Sequence, residues 1–88
     1  MTTNATTTCS VRFYAGAAEA AGTDRTVVTV PSGGTVGDLV TRLGADDQRL
    51  AQVLSVCTLL LDGQTAATDA ALPTGVAAVD VLPPFAGG

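Results

Sequence analysis

The chain has 88 residues and a formal net charge of −4, and only 14% of its residues are charged, against roughly 25% in typical domains. That length supports one small domain with a single core, burying about 60–65% of the surface the unfolded chain exposes. There is no lysine or histidine, and Arg12, Arg25, Arg42 and Arg49 are scattered, which excludes the clustered cations of a nucleic-acid surface.

Aromatic residues are scarce, so Val, Leu and Ala must build the core, and an acidic chain of this kind prefers a basic partner surface. Cys9 and Cys57 are too few and too far apart for a disulfide framework or a metal-ligand pair. Cys57, inside the apolar run Val56 to Leu61, reads as a small buried hydrophobe. Cys9, beside a threonine-rich stretch, reads as an exposed thiol. Met1 to Thr8 contains neither the basic nor the apolar region of a signal peptide, and no apolar stretch reaches the ~20 residues that span a bilayer. A cytoplasmic protein without a membrane association is expected.

In chain order, residues 1–8 are polar and low in complexity and are expected to be a disordered tail. An ordered domain is expected over 9–82. From Ser10 to Ala15, Val11, Phe13 and Ala15 alternate with Ser10, Arg12 and Tyr14, the period of a half-buried strand. The alanines between Gly16 and Gly22 allow a helical turn or two. Thr26 to Val30 is a β-branched run stopped by Pro31-Ser32-Gly33-Gly34, making a second strand and a hairpin with an elaborated loop.

The clearest helix covers Val36 to Leu43. Thr35 stands at the N-cap with Asp38 three residues on, Val36, Leu39, Val40 and Leu43 share one face, and Gly44 provides the stop. Asp46 and Asp47 are candidate caps for a second short helix turning Leu50, Val53 and Leu54 inward. Val56 to Leu61 reads as a strand buried on both faces, and Asp62-Gly63 as a tight turn. A weaker strand near Gln64 to Ala66, a loop through Asp69 and Pro73, and a last strand over Val76 to Leu82 complete the pattern. The class is α+β, one main helix crossing a mixed four- to five-stranded sheet.

The last six residues, Pro83-Pro84-Phe85-Ala86-Gly87-Gly88, form the third segment, 83–88. Two prolines stiffen the exit from the strand. Two glycines carry no side chain, so they can enter a slot too narrow for other residues. Fully extended, the six residues reach roughly 20 Å, far enough to place a carboxylate in a partner's active site. Phe85 is the candidate apolar anchor beside this stalk. Gly33-Gly34 reads as a turn, and no phosphate-cradling motif is present.

This element order and the Leu82-Pro83-Pro84-Phe85-Ala86-Gly87-Gly88 ending resemble the MoaD/ThiS family of ubiquitin-like β-grasp sulfur carriers, most nearly the molybdopterin synthase small subunit. Val11-Arg12-Phe13-Tyr14-Ala15, Glu19-Ala20-Ala21-Gly22 and Thr35-Val36-Gly37-Asp38-Leu39 match its outline. The resemblance implies a carrier that is not itself an enzyme. Gly88 would be adenylated by an E1-like enzyme using ATP and converted to a thiocarboxylate that donates sulfur, with Gly87 beside it and Pro83, Pro84, Phe85 and Ala86 contacting partners. The carrier itself would bind no cofactor or metal. The implied partners are that activating enzyme and a large sulfur-acceptor subunit, the molybdopterin synthase large subunit or an analogue. Carriers for cysteine, thiamine or secondary-metabolite synthesis share the ending. A ubiquitin-like modifier joined through Gly88 and an interaction subunit whose tail only docks are the readings from other classes.

Overall fold

Alternating apolar residues, joined by turns and capped helices, fold here into a five-stranded sheet covered on one face by helices; the computed structural model describes residues 5–84. The elements are β1 (Thr6–Phe13), α1 (Gly16–Ala21), β2 (Arg25–Pro31), α2 (Val36–Leu43), α3 (Gln48–Leu54), β3 (Thr58–Leu61), β4 (Gln64–Ala66) and β5 (Gly75–Leu82). The sheet order is β2-β1-β5-β3-β4. β1 and β5 run parallel in the middle, and the other neighbouring pairs are antiparallel. An α+β class with a mixed five-stranded sheet is thus present, and beside the main helix α2 the expected short helical segments form as α1 and α3.

The core lies between the inner sheet face and the helices. Cys9, Val11, Phe13, Val30, Leu59, Ala77, Val79 and Val81 supply the sheet side, and Ala17, Ala20, Val36, Leu39, Leu50 and Leu54 the helix side. Each of these positions follows from period 2 on a strand or 3.6 on a helix. The start of α2 is fixed by a reciprocal capping box: Asp38 N–H donates to Thr35 Oγ1 at 3.2 Å, and Thr35 N–H donates to Asp38 Oδ2 at 2.9 Å. Asp47 caps α3 by accepting from Leu50 N–H at 3.0 Å. At the β3–β4 turn Asp62 and Gly63 both have positive φ, 49° and 86°. This two-residue hairpin geometry needs residues tolerant of the left-handed region.

Four expectations change. The first strand begins at Thr6, so 6–8 are not a disordered tail; Thr6 and Thr7 pair with Pro31 and Val30, and Thr7 also pairs with Gly75. Residues 1–4 lie outside the described range. Cys9 is buried rather than exposed, because it faces inward between Val28 and Ala77. Ala15 does not continue the strand: it sits at φ 50° as the N-cap of α1 and is exposed. The buried run expected over Val56 to Leu61 is shorter, with Val56 61% exposed. The chain is still unwinding from α3 there, Cys57 N–H donating to Leu54 O at 3.2 Å.

Candidate functional site

The candidate site is the place where β5 leaves the sheet. β5 lies between β1 and β3, paired on both sides as far as Val81, which stands opposite Phe13 and Leu59, while its last residue, Leu82, pairs with Thr58 alone. Tyr14 N–H adds a bond to Val81 O at 3.2 Å. Alternation turns Ala77, Val79 and Val81 into the core and leaves Val76, Ala78, Asp80 and Leu82 on the face that no helix covers. Pro83 is half-buried and Pro84 exposed. Neither has an N–H to give a neighbouring strand, so pairing stops and the chain departs. Phe85, Ala86, Gly87 and Gly88, the other residues expected at this site, lie outside the described residues.

Beside the exit, register places Arg25, Arg12, Asp80, Leu60 and Thr65 in one row across the outer face. The Tyr14 hydroxyl donates to Asp80 Oδ1 at 3.2 Å. Alternation in the sequence puts Arg12 and Tyr14 on the non-core side but does not join them to Asp80. The usable signal was Asp80 itself, a lone charge inside the apolar run Val76 to Leu82. A row of charge flanked by half-buried Leu60 and Leu82 is suited to contact with a protein surface.

The remaining chemistry is quiet. Burial, and after it the charge of Asp62, raises the Cys9 thiol above its ordinary 9.0. Burial likewise raises Cys57, whose Sγ donates to Val53 O at 3.1 Å. Neither thiol is poised as a thiolate nucleophile at neutral pH. Among the described residues no group of three or more His, Cys, Asp or Glu could hold a metal ion. No buried side-chain polar atom lacks a partner there. A groove of about 680 Å³, lined by Val30, Pro31, Asp38 and Arg42 among others, lies at the other end of the sheet from Leu82. The Asp38 carboxylate there is occupied by the capping box.

The ThiS family model matches residues 11–88. This chain belongs to the ThiS family. Its fold is the ubiquitin-like β-grasp. SAMP1, the small archaeal modifier protein 1 of Haloferax volcanii, superimposes with a TM-score of 0.78 at 27% identity, covering 92% of this chain and 99% of that one. A protein of Pyrococcus furiosus assigned as molybdopterin converting factor, subunit 1, gives 0.79 at 21% identity, covering 90% and 99%. Subunits 1 and 2 of the molybdopterin-converting factor of Helicobacter pylori form a protein–protein complex, and this structure matches with 0.64 at 20% identity, covering 92% and 99%. No curated protein sequence matches significantly. As a ThiS-family protein the chain is of the small ubiquitin-like sulfur-carrier or modifier type. Among the described residues, no helix is long and apolar enough to cross a membrane.

Proposed function

We propose that this protein is a cytoplasmic sulfur carrier whose Gly88 carboxylate is the working group. The observation that carries the reading is the exit of the central strand β5 into Pro83-Pro84, together with a family match that continues through Gly88. A carboxylate is a poor acyl donor because its leaving group would be oxide. An E1-like partner therefore joins it to AMP from ATP, releasing pyrophosphate, and sulfide (HS−) displaces AMP and gives up its proton to leave a thiocarboxylate. Catalytic groups and the ATP site belong to partners.

The sulfur acceptor in this reading is a large catalytic subunit, with molybdopterin synthesis the first candidate and cysteine, thiamine or secondary-metabolite synthesis the alternatives. Partner contact falls on the outer sheet face around Arg12, Asp80 and Leu82, with Phe85 as the apolar anchor. The likeness to the Haloferax modifier favours a second reading. In it Gly88 is joined to a target lysine.

Intact-mass measurement after incubation with the cognate activating enzyme, ATP and a sulfur source tests the first reading. Exchange of one oxygen for sulfur on the C-terminal peptide is expected. Sulfur found only on Cys9 or Cys57 defeats it, and a conjugate ladder on immunoblots of cell extract supports the modifier.

A further inference from the structure

The edge of the sheet at β2 is closed at both ends and open in the middle. Phe13 N–H donates to Asp24 O at 3.0 Å, and Ser32 N–H to Ala5 O at 3.0 Å. These bonds fix the alternation of the β1–β2 ladder, since opposed antiparallel residues are by turns hydrogen-bonded and not. Thr26, Val28 and Val30 therefore spend their backbone groups on β1, and Arg25, Val27, Thr29 and Pro31 direct theirs outward. Two of those four are served locally. The Thr23 hydroxyl donates to Arg25 O at 3.0 Å and accepts from Arg25 N–H at 3.4 Å. Pro31 has no N–H, and its carbonyl accepts from Gly34 N–H at 3.2 Å.

Val27 and Thr29 remain, each with one N–H and one C=O that pair with nothing among the described residues. Val27 is also 65% exposed. Natural edge strands are ordinarily blunted by a charge, a proline or a bulge. Here Arg25 and Pro31 guard only the ends, and the β-branched centre is uncharged.

We infer that β2 pairs antiparallel with β2 of a second copy about a two-fold axis at Val28, joining two sheets into one of ten strands. Setting Val28 opposite its own copy puts Val27 opposite Thr29 of the other chain. Each such pair exchanges two backbone hydrogen bonds, so four bonds use every outward group that both chains leave open. Arg25 falls opposite Pro31, so no like charges meet in register. The axis stands perpendicular to the sheet, keeping the helices of both copies on one side. β5 is two strands away from the contact, so both exits at Leu82 stay clear. The contact is small beside standard interfaces, and each chain carries a net charge of −4. The dimer is consequently weak and tightens as salt screens that repulsion.

Sedimentation equilibrium from about 10 µM to 1 mM, where mass action drives a weak dimer, tests this. The apparent mass should climb from 8.7 kDa toward twice that, and amide exchange at Val27 and Thr29 should slow with concentration. Thr29→Pro removes an outward N–H without touching the β1 ladder, and Val27→Glu sets two carboxylates diagonally across the axis. Both should stay monomeric through the range. Circular dichroism checks folding, and Val27→Glu carries the test should the proline variant not fold. A wild-type mass of one chain at the highest concentration overturns the pairing, as does a dimer that persists in the folded variants. Protection of Val27 and Thr29 that arises only when a partner protein is added to a monomeric chain also overturns it, assigning the edge to an extended segment of that partner.

Discussion

Thr7 donates its hydroxyl to the carbonyl of Pro73, 66 positions further along the chain. Thr7 is fully buried and paired on one side with Val30 and on the other with Gly75. The bond ties the start of β1 to the loop that feeds β5. Thr7→Val keeps the shape and deletes the donor, leaving a half-buried carbonyl without its partner, and should cost about 1 kcal/mol. Thr7→Ser keeps the donor and should recover part of that loss. Urea unfolding at constant slope measures both.

Gly44→Ala should destabilise the fold for a reason unrelated to backbone preference. Gly44 has φ −93°, which any residue adopts, so the left-handed stop usual after a helix is not what requires glycine here. A Cβ at this position would lie 2.8 Å from Ala51 Cβ and 3.0 Å from its Cα, forcing α2 and α3 apart. A loss of roughly 1–3 kcal/mol is expected from such overpacking. In the double variant with Ala51→Gly the penalty should shrink, and the two changes should be non-additive in urea titrations.

Stability should fall as pH rises beyond the ordinary thiol range. Cys9 and Cys57 both have thiols raised above 9.0 in the folded state, so the folded chain holds protons that the unfolded chain releases. Their contribution is complete below the unfolded value and is lost as pH climbs through the raised folded values. Unfolding midpoints between pH 7 and pH 10 should therefore decline, and Cys9→Ala, though less stable, should show a flatter profile. Iodoacetamide should label neither thiol readily in the native protein at pH 7 and both in urea.

Removing Gly88 should separate tail chemistry from folding. Among the described residues the sheet pairing reaches no further than Leu82, so the thermal transition should stay almost unchanged. ATP-dependent adenylation should vanish, because the carboxylate retreats by roughly 3.5 Å and misplacement of even about 1 Å costs a hundredfold in rate. Gly87→Val keeps the length but adds a branched side chain and should block adenylation while partly sparing docking. Wild-type sulfur transfer by the folded deletion variant would end the carrier mechanism.

What could be read from the residues depended on how local the determining interaction is. The bounds of α2 agree with the expected Val36 to Leu43, because Thr35, Asp38 and the apolar face all lie within one short window. The Asp62-Gly63 turn was legible for the same reason, and its extra bond, Ala78 N–H to Asp62 Oδ1 at 2.9 Å, was not. Thr6 to Thr8 looked unstructured since three threonines carry no alternation, while the partners that order them lie at Val30 and Gly75. Val56 and Cys57 continue an apolar run in sequence, and only the overhang of α3 keeps them out of β3. At the site, alternation sorted Arg12 and Tyr14 correctly onto the outer face, but the parallel register that brings Asp80 beside them exists only once β5 inserts next to β1.

That insertion also decides how the domain answers to force. Anything that grips the chain beyond Leu82 pulls along β5, and β5 has a ladder on each flank, to β1 and to β3. Those hydrogen bonds lie across the direction of the pull, so they are loaded together in shear instead of opening one after another. β4, three residues long and bonded on one side only, would peel under a far smaller load. Under the proposed function, an enzyme drawing residues beyond Leu82 into its active site would haul on the strand that is laddered on both flanks, and the domain would be tugged, held and released without coming undone.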